Sequence, residues 1–266
     1  EQYQQSVEEW EQRINEELSE GRSEYTEFTF HDPAMYSGLV GGKWKGLKLL
    51  SDAQDAFDLG YEIPDGKVVS SVGVEQMLEK EGIDELIEED VFEMDEGRRE
   101  EIIDRIDDIN VGRYVEGLGE GTIARSSMYG EDGASNFAGT YDSFHSNGDP
   151  EQAVKDVIKS YFSEKAVNAR EDKGMTHSGG IGVILQDAVD PEKGGVVHLT
   201  EEGYSISEAE DAEKAVEGQG EMKDAETVEG LVDGTAMEAM AADLEELHRT
   251  FGDIDLEYVT DGEEVY

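Results

Sequence analysis

The chain has 266 residues, with 67 Asp and Glu against 21 Lys and Arg and a formal net charge of −46. That balance argues against a nucleic-acid binder, which needs clustered Lys and Arg, and against a partner of anionic membranes; the lack of cysteine removes disulfide frameworks and thiolate zinc sites. Hydrophobic residues still make up 36% and recur periodically, so the chain reads as a folded protein with an acidic shell rather than a disordered acidic tail.

Tyr3, Val7, Trp10, Ile14 and Leu18 fall on one stripe and predict an amphipathic helix over 3–19. GLVGGKWKGLKLLSDA is glycine-rich and opens a short apolar helix. YEIPDGKVVS reads as a turn into a strand. Two acidic helical segments, VEQMLEKEGIDELIEED and REEIIDRIDDI, occupy 74–109. A strand, a glycine-bearing turn and a second strand fill 121–149. Asp149-Pro150 then starts a helix whose apolar positions are Val154, Val157, Ile158, Tyr161 and Phe162. IGVILQDAV is a nearly continuous apolar run, as expected of a buried strand, and GGVVHLT is another strand. Residues 201–234 are acidic with little periodicity and read as loop or short irregular elements. Met237, Met240, Ala241, Leu244, Leu247 and Phe251 make one helical stripe, with Gly252 where a C-cap belongs. DIDLEYVTDGEEVY is a strand running to an Asp261-Gly262 hairpin signal. The expected class is α+β, divided into a helical extension at 1–30, an N-terminal lobe at 31–120 and a C-terminal lobe at 121–266.

Three segments carry chemistry. In GGKWKGLKLL, Gly41 and Gly42 let the backbone approach a ligand and Lys43 follows directly. A helix starting just after would aim free N–H groups and a positive dipole end at the same spot, which suits a phosphate. The Walker A spacing is absent, and a helix start with solvated lysines is the plain alternative. In TIARSSMYGEDGASNFAGTYDSF, Ile123 and Arg125 share a strand face, so Arg125 needs an anionic partner, either a carboxylate or a ligand phosphate. Ser126 and Ser127 add donors, Glu131 and Asp132 follow in the turn, and Gly139 interrupts the next strand. Near the C-terminus Asp255 and Glu257 share a strand face and could hold Mg²⁺, the alternative being a solvent-facing acidic side. The five histidines show no metal-ligand spacing, and His198 is expected as an ordinary strand residue.

In this order the segments resemble the ATP-binding domain of the phosphoenolpyruvate synthase and pyruvate phosphate dikinase family. GGKWKGLKLL is similar to the family's GGK-x-x-x-L opening, and YEIPDGKVVS to its G-x-P-x-P-x-G-F-V segment. IARSSMYGEDGASNFAGTYDSF resembles VRSSAxxEDxxxxSFAGxxxTF, the most specific match. YFSEKAVNAREDKGMTHSGGIGVILQDAV and DIDLEYVTDGEEVY are similar to F…RAxxYRxxxG…xAVxVQxMV and DIEWAxDxGxLYxLQSRP. The resemblance spans about residues 38–266. It implies an ATP-grasp-like fold with an added N-terminal helix, in which two lobes sandwich ATP·Mg²⁺ and ATP phosphorylates a histidine on a separate domain. Carried over by position, Lys43 and Arg125 would act on the ATP phosphates, with Gly41, Gly42, Ser126 and Ser127 shaping the phosphate loop. Gln186 would lie near the adenine and Glu257 would bind Mg²⁺.

Three departures accompany the resemblance. The chain stops at Tyr266 before the family's QSR, residues 199–234 only weakly echo the family, and nothing resembles the phosphohistidine domain. A chain that begins at Glu1 is expected to be processed or cut from something longer, and alone it is not expected to complete a dikinase cycle. Two functions follow as expectations. One is the phosphoryl-donor half of such a phosphotransferase, a kinase with ATP and Mg²⁺. The other is a degenerate, non-catalytic binding or assembly module. Dense carboxylates repel in dilute buffer and are screened at molar salt, so a cytoplasmic protein of a salt-accumulating halophile, archaeal in type, is expected. No apolar run reaches the roughly 18 residues of a membrane span, and EQYQQSVEEW does not read as a signal peptide.

Overall fold

The computed structural model describes residues 25–32, 37–87, 94–119, 121–128, 142–175, 180–210 and 220–266. The predicted helix at 3–19 and the turn carrying Glu131, Asp132 and Gly139 lie outside the described residues. The chain divides into two compact units that are discontinuous in sequence. The first runs to Lys48 and resumes over Asp65–Ala188, and the second takes Leu49–Pro64 and Val189–Tyr266. The expected lobe boundary at 120/121 is not where this division falls. The reason is strand pairing, because strands from both sides of residue 120 share one sheet.

That sheet belongs to the first unit. It is antiparallel throughout, in the order β1-β2-β5-β3-β4. The strands are β1 (Glu27–Thr29), β2 (Gly66–Val69), β3 (Thr122–Met128), β4 (Ser143–His145) and β5 (Ile181–Asp187). The apolar run of β5 pairs on both sides, and Ile181 through Gln186 are all buried. Such a strand needs apolar residues at successive positions because both of its faces are covered.

One face packs on helices α2 (Ser71–Lys80), α3 (Glu96–Ile106), α4 (Gly112–Val115), α5 (Pro150–Tyr161) and α6 (Glu164–Glu171). Ala124, Met128, Val183 and Leu185 lie on that side. The other face, with Phe28, Val68 and Ile184, packs on Leu39, Val40 and Trp44 of α1 (Ser37–Phe57). Helix α5 starts as its sequence dictates: the Asp149 side chain accepts the Gln152 N–H and Pro150 opens the first turn.

The second unit is built on an antiparallel sheet ordered β8-β7-β6-β9. Its strands are β6 (Lys193–Thr200), β7 (Gly203–Ala209), β8 (Glu221–Ala225) and β9 (Ile254–Thr260). Val197, Leu199, Ile206 and Tyr258 face a core closed by α7 (Val228–Val232), α8 (Ala241–Phe251), Ala53 and Tyr61. Helix α8 ends at Gly252 with φ 80°, a backbone conformation that favours glycine.

Residues 201–234, expected to be irregular, instead supply β7, β8 and α7 in their described part. Only Tyr204 and Ile206 of β7 give an apolar inward signal, and β8 is an edge strand held through its backbone to β7. An edge strand needs few apolar residues, so periodicity did not announce it. No helix among the described residues is long and apolar enough to cross a membrane.

Candidate functional site

The GGK segment lies inside α1 rather than ahead of it. Gly41 has φ 75° and ψ 170°, a non-helical residue that breaks the helix after Val40 and lets it resume. A positive φ of this size is costly for any residue with a Cβ. The space is as restrictive as the dihedral. A Cβ on Gly41 would lie 2.3 Å from the Ser127 carbonyl carbon and 2.4 Å from the Ser127 Oγ.

The Ser127 hydroxyl bridges this break. Its Oγ donates to the Val40 carbonyl at 2.6 Å and accepts the Trp44 N–H at 3.1 Å. Gly41 has no side chain with which to cap the resumed helix, and Ser127 supplies the missing acceptor from β3. The seat is tight on every side. Gly182 stands opposite Ser127 on β5, where a Cβ would lie 3.0 Å from Val69 O and 3.3 Å from Val40 O. The turn before the break is held as well, by Ser71 Oγ donating to Gly38 O at 3.1 Å. Trp44 is fully buried and stacks on Phe30 with centroids 4.5 Å apart.

Register now sorts the predicted residues. In the β3–β5 ladder Ile123 stands opposite Gln186, Arg125 opposite Ile184 and Ser127 opposite Gly182. Partners in register share a face, so Arg125, Ser127 and Gln186 lie on the α1 side with Gly41, Gly42 and Lys43. The expectation that Ile123 and Arg125 share a face therefore matches the ladder; both are half-buried. Gln186 is 4% exposed and is packed under Gly66 of β2, where a Cβ would lie 2.7 Å from Gln186 Cγ.

Ser126 differs. It stands opposite Val183 on the helical side of the sheet, fully buried, and its Oγ has no hydrogen-bond partner among the described residues. The structure does not bring it together with Arg125 and Ser127. Gly66 and Gly182 were missed by sequence reasoning. PDGKVV reads as an ordinary turn, and nothing in IGVILQ marks its glycine as the floor of a seat.

Glu257 lies in the second unit, on the β9 face turned away from that unit's core, opposite Val196. It is exposed, and Asp255 stands two residues before it on the same face. Asp255 is engaged: His198 Nδ1 donates to its Oδ1 at 2.6 Å, with the side chains 46% and 72% exposed. His198 is thus more than the plain strand residue expected, and with Thr200, Ser205 and Asp224 it lines a shallow groove. Both carboxylates are hard oxygen donors of the kind Mg²⁺ prefers, and that ion commonly takes only one or two protein carboxylates with its phosphates. No group of three or more His, Asp and Glu that could hold a metal occurs among the described residues.

Half-buried on the core side of the same sheet, Glu208 links several of the unit's segments. Its Oε2 accepts the Tyr258 hydroxyl at 2.8 Å and the Ala236 N–H at 2.8 Å, and Lys193 lies 3.2 Å from its Oε1. Burial alone would raise the Glu208 carboxyl, but these hydrogen bonds outweigh it and hold the group below the ordinary range. Tyr258 is pushed well above the usual phenol range by burial and by its Glu208 partner.

Residues 99–265 match a family model described as pyruvate phosphate dikinase, AMP/ATP-binding domain. The match contains Arg125, Ser127, Gln186 and Glu257 and begins after Gly41–Lys43. No curated protein matches the chain.

Proposed function

The chain belongs to the family of pyruvate phosphate dikinase AMP/ATP-binding domains, and from that premise we propose that it binds ATP·Mg²⁺ and serves as the phosphoryl donor of a multi-part phosphotransferase. The observation that carries this reading is the junction of Ser127 with the Gly41 break, which unites two segments 83 residues apart on one sheet face. Lys43 and Arg125 hold the ATP phosphates, and the amides of Gly42 and Lys43 add donors at a helix start. Gln186 faces the base. Such a site works by positioning and charge neutralisation of the transferred phosphoryl, without a general base of its own. ATP supplies the phosphoryl group, and the acceptor is a histidine on a separate domain or protein. In the second unit Glu257, with Asp255, is the proposed Mg²⁺ ligand.

A second reading is a module that binds nucleotide without transferring it. The His198 contact favours it, because it occupies one oxygen of the carboxylate nearest Glu257 along β9. Calorimetric titration in molar KCl tests both. Wild type is expected to bind ATP·Mg²⁺, with Lys43→Ala and Arg125→Ala each weakening it by about 1.5–3 kcal/mol, the range for a lost charged hydrogen bond. A folded wild type that binds no ATP would sink the nucleotide reading. Affinity unchanged by omitting Mg²⁺ would favour the non-catalytic module.

A further inference from the structure

We propose that Ser127 is a positioning residue for the nucleotide loop, acting as an N-cap supplied in trans, and that it does not itself touch phosphate. The inference rests on the ATP reading above for its functional consequence. Its structural part rests on the geometry of the break.

A helix that restarts leaves the N–H groups of its first turn without intrahelical acceptors. Ordinarily the residue just before the turn folds its own side chain back to accept one of them. At this restart that residue is Gly41, which has none. The Ser127 Oγ takes its place, accepting from Trp44 N at the third position of the new turn. The same hydroxyl spends its proton on Val40 O, the last carbonyl before the break. One hydroxyl thereby pairs with one backbone donor and one backbone acceptor that the break exposes.

This occupancy decides the role. The single proton of the hydroxyl is committed to Val40, so Ser127 has no donor left for a phosphate oxygen. Ser127 is also fully buried. What it controls is where Gly42 and Lys43 sit, since they lie between its two attachment points. A Cβ at Gly41 would lie 2.3 Å from the Ser127 carbonyl oxygen, and one at Gly182 would lie 3.4 Å from the same oxygen and 3.3 Å from Val40 O. The next hydroxyl in the chain, Ser126, faces the other side of the sheet and cannot substitute.

The test is a double-mutant cycle on ATP·Mg²⁺ affinity in molar KCl, with Ser127→Ala, Lys43→Ala and the double variant, each shown folded by circular dichroism. A residue that acts only through the lysine loop gives strongly non-additive losses. Ser127→Ala is expected to weaken binding about tenfold when Lys43 is present and less than about twofold when it is absent. Hydrogen exchange at the Trp44 amide is expected to quicken at least about tenfold in Ser127→Ala without a matching rise across α5. Unchanged ATP affinity in Ser127→Ala, or fully additive losses, would overturn the proposal. If wild type binds no ATP, the nucleotide reading fails separately, and Trp44 exchange still decides the cap: an unchanged rate removes it.

Discussion

Gly41 is where a single methyl group would be felt most. Alanine there must adopt the positive-φ, extended-ψ backbone that is essentially reserved for glycine, at about 1–3 kcal/mol, and its Cβ would overlap the Ser127 backbone and hydroxyl. Overpacking in a tight site adds about 1–3 kcal/mol. Gly41→Ala is therefore expected to cost about 2–6 kcal/mol, read as a lower urea midpoint at constant slope. Gly46, five residues on in the same helix, has nothing within 4 Å of its would-be Cβ. Alanine at Gly46 is expected to be neutral or mildly stabilising, as in an ordinary helix. If the two variants behaved alike, the break at Gly41 would not be the constraint described here.

At the scale of elements, one carboxylate in the second unit ties three segments. Glu208 on β7 reaches Tyr258 on β9, Lys193 on β6 and the backbone at Ala236. Its folded-state pKa lies below its unfolded value. The stabilisation is accordingly present above the unfolded pKa, about 4.3, and is lost as pH falls through the folded value. Glu208→Gln is expected to lower the unfolding midpoint at neutral pH, with the gap to wild type narrowing below about pH 4.3. A gap independent of pH would mean that packing, not charge, is what Glu208 provides. None of this was legible in the sequence, where Glu208 is one of many acidic residues in a stretch with little periodicity. What was legible were elements whose own residues declare them: the capped start of α5, the apolar run of β5, the stripe and glycine stop of α8. The α+β class and the shared face of Ile123 and Arg125 followed from the same local rules. The seat around Gly41 was not legible, because it depends on β3 and β5 lying side by side. Strand alternation puts Ser126 and Ser127 on opposite faces, although the sequence reading groups both as donors beside Arg125.

For the whole molecule, the fold is α+β and ATP-grasp-like, wrapped in a surface with a formal net charge of −46. Several of its few basic residues are used as tethers. Lys155 Nζ donates to Asp107 O at 2.8 Å, Lys159 pairs with the Asp107 carboxylate at 2.5 Å, and Lys223 Nζ donates to Asp233 O at 2.6 Å. Isolated surface pairs are worth about 0–1 kcal/mol, so they do not offset the self-repulsion of such a shell. Screening does, as the Debye length contracts from about 10 Å at 0.1 M to about 3 Å at 1 M salt. The thermal midpoint is expected to climb steadily between 0.1 and 2 M KCl. Chloride is the anion to use, because sulfate would also strengthen apolar burial. A flat or falling midpoint would leave the acidic surface without a salt-adapted role.

The discontinuity of the second unit bears on how the chain reaches this state. Leu49–Pro64 belongs with residues made much later in the chain: Glu62 N donates to Val265 O at 2.8 Å. Some two hundred residues separate those partners, and that loop must close before the contact returns anything. On the ribosome, Ala53 and Tyr61 would therefore emerge long before the strands that cover them. They stay uncovered until those strands have been made. The delay leaves that apolar surface open during synthesis, and a formal net charge of −46 opposes contact between neighbouring nascent chains.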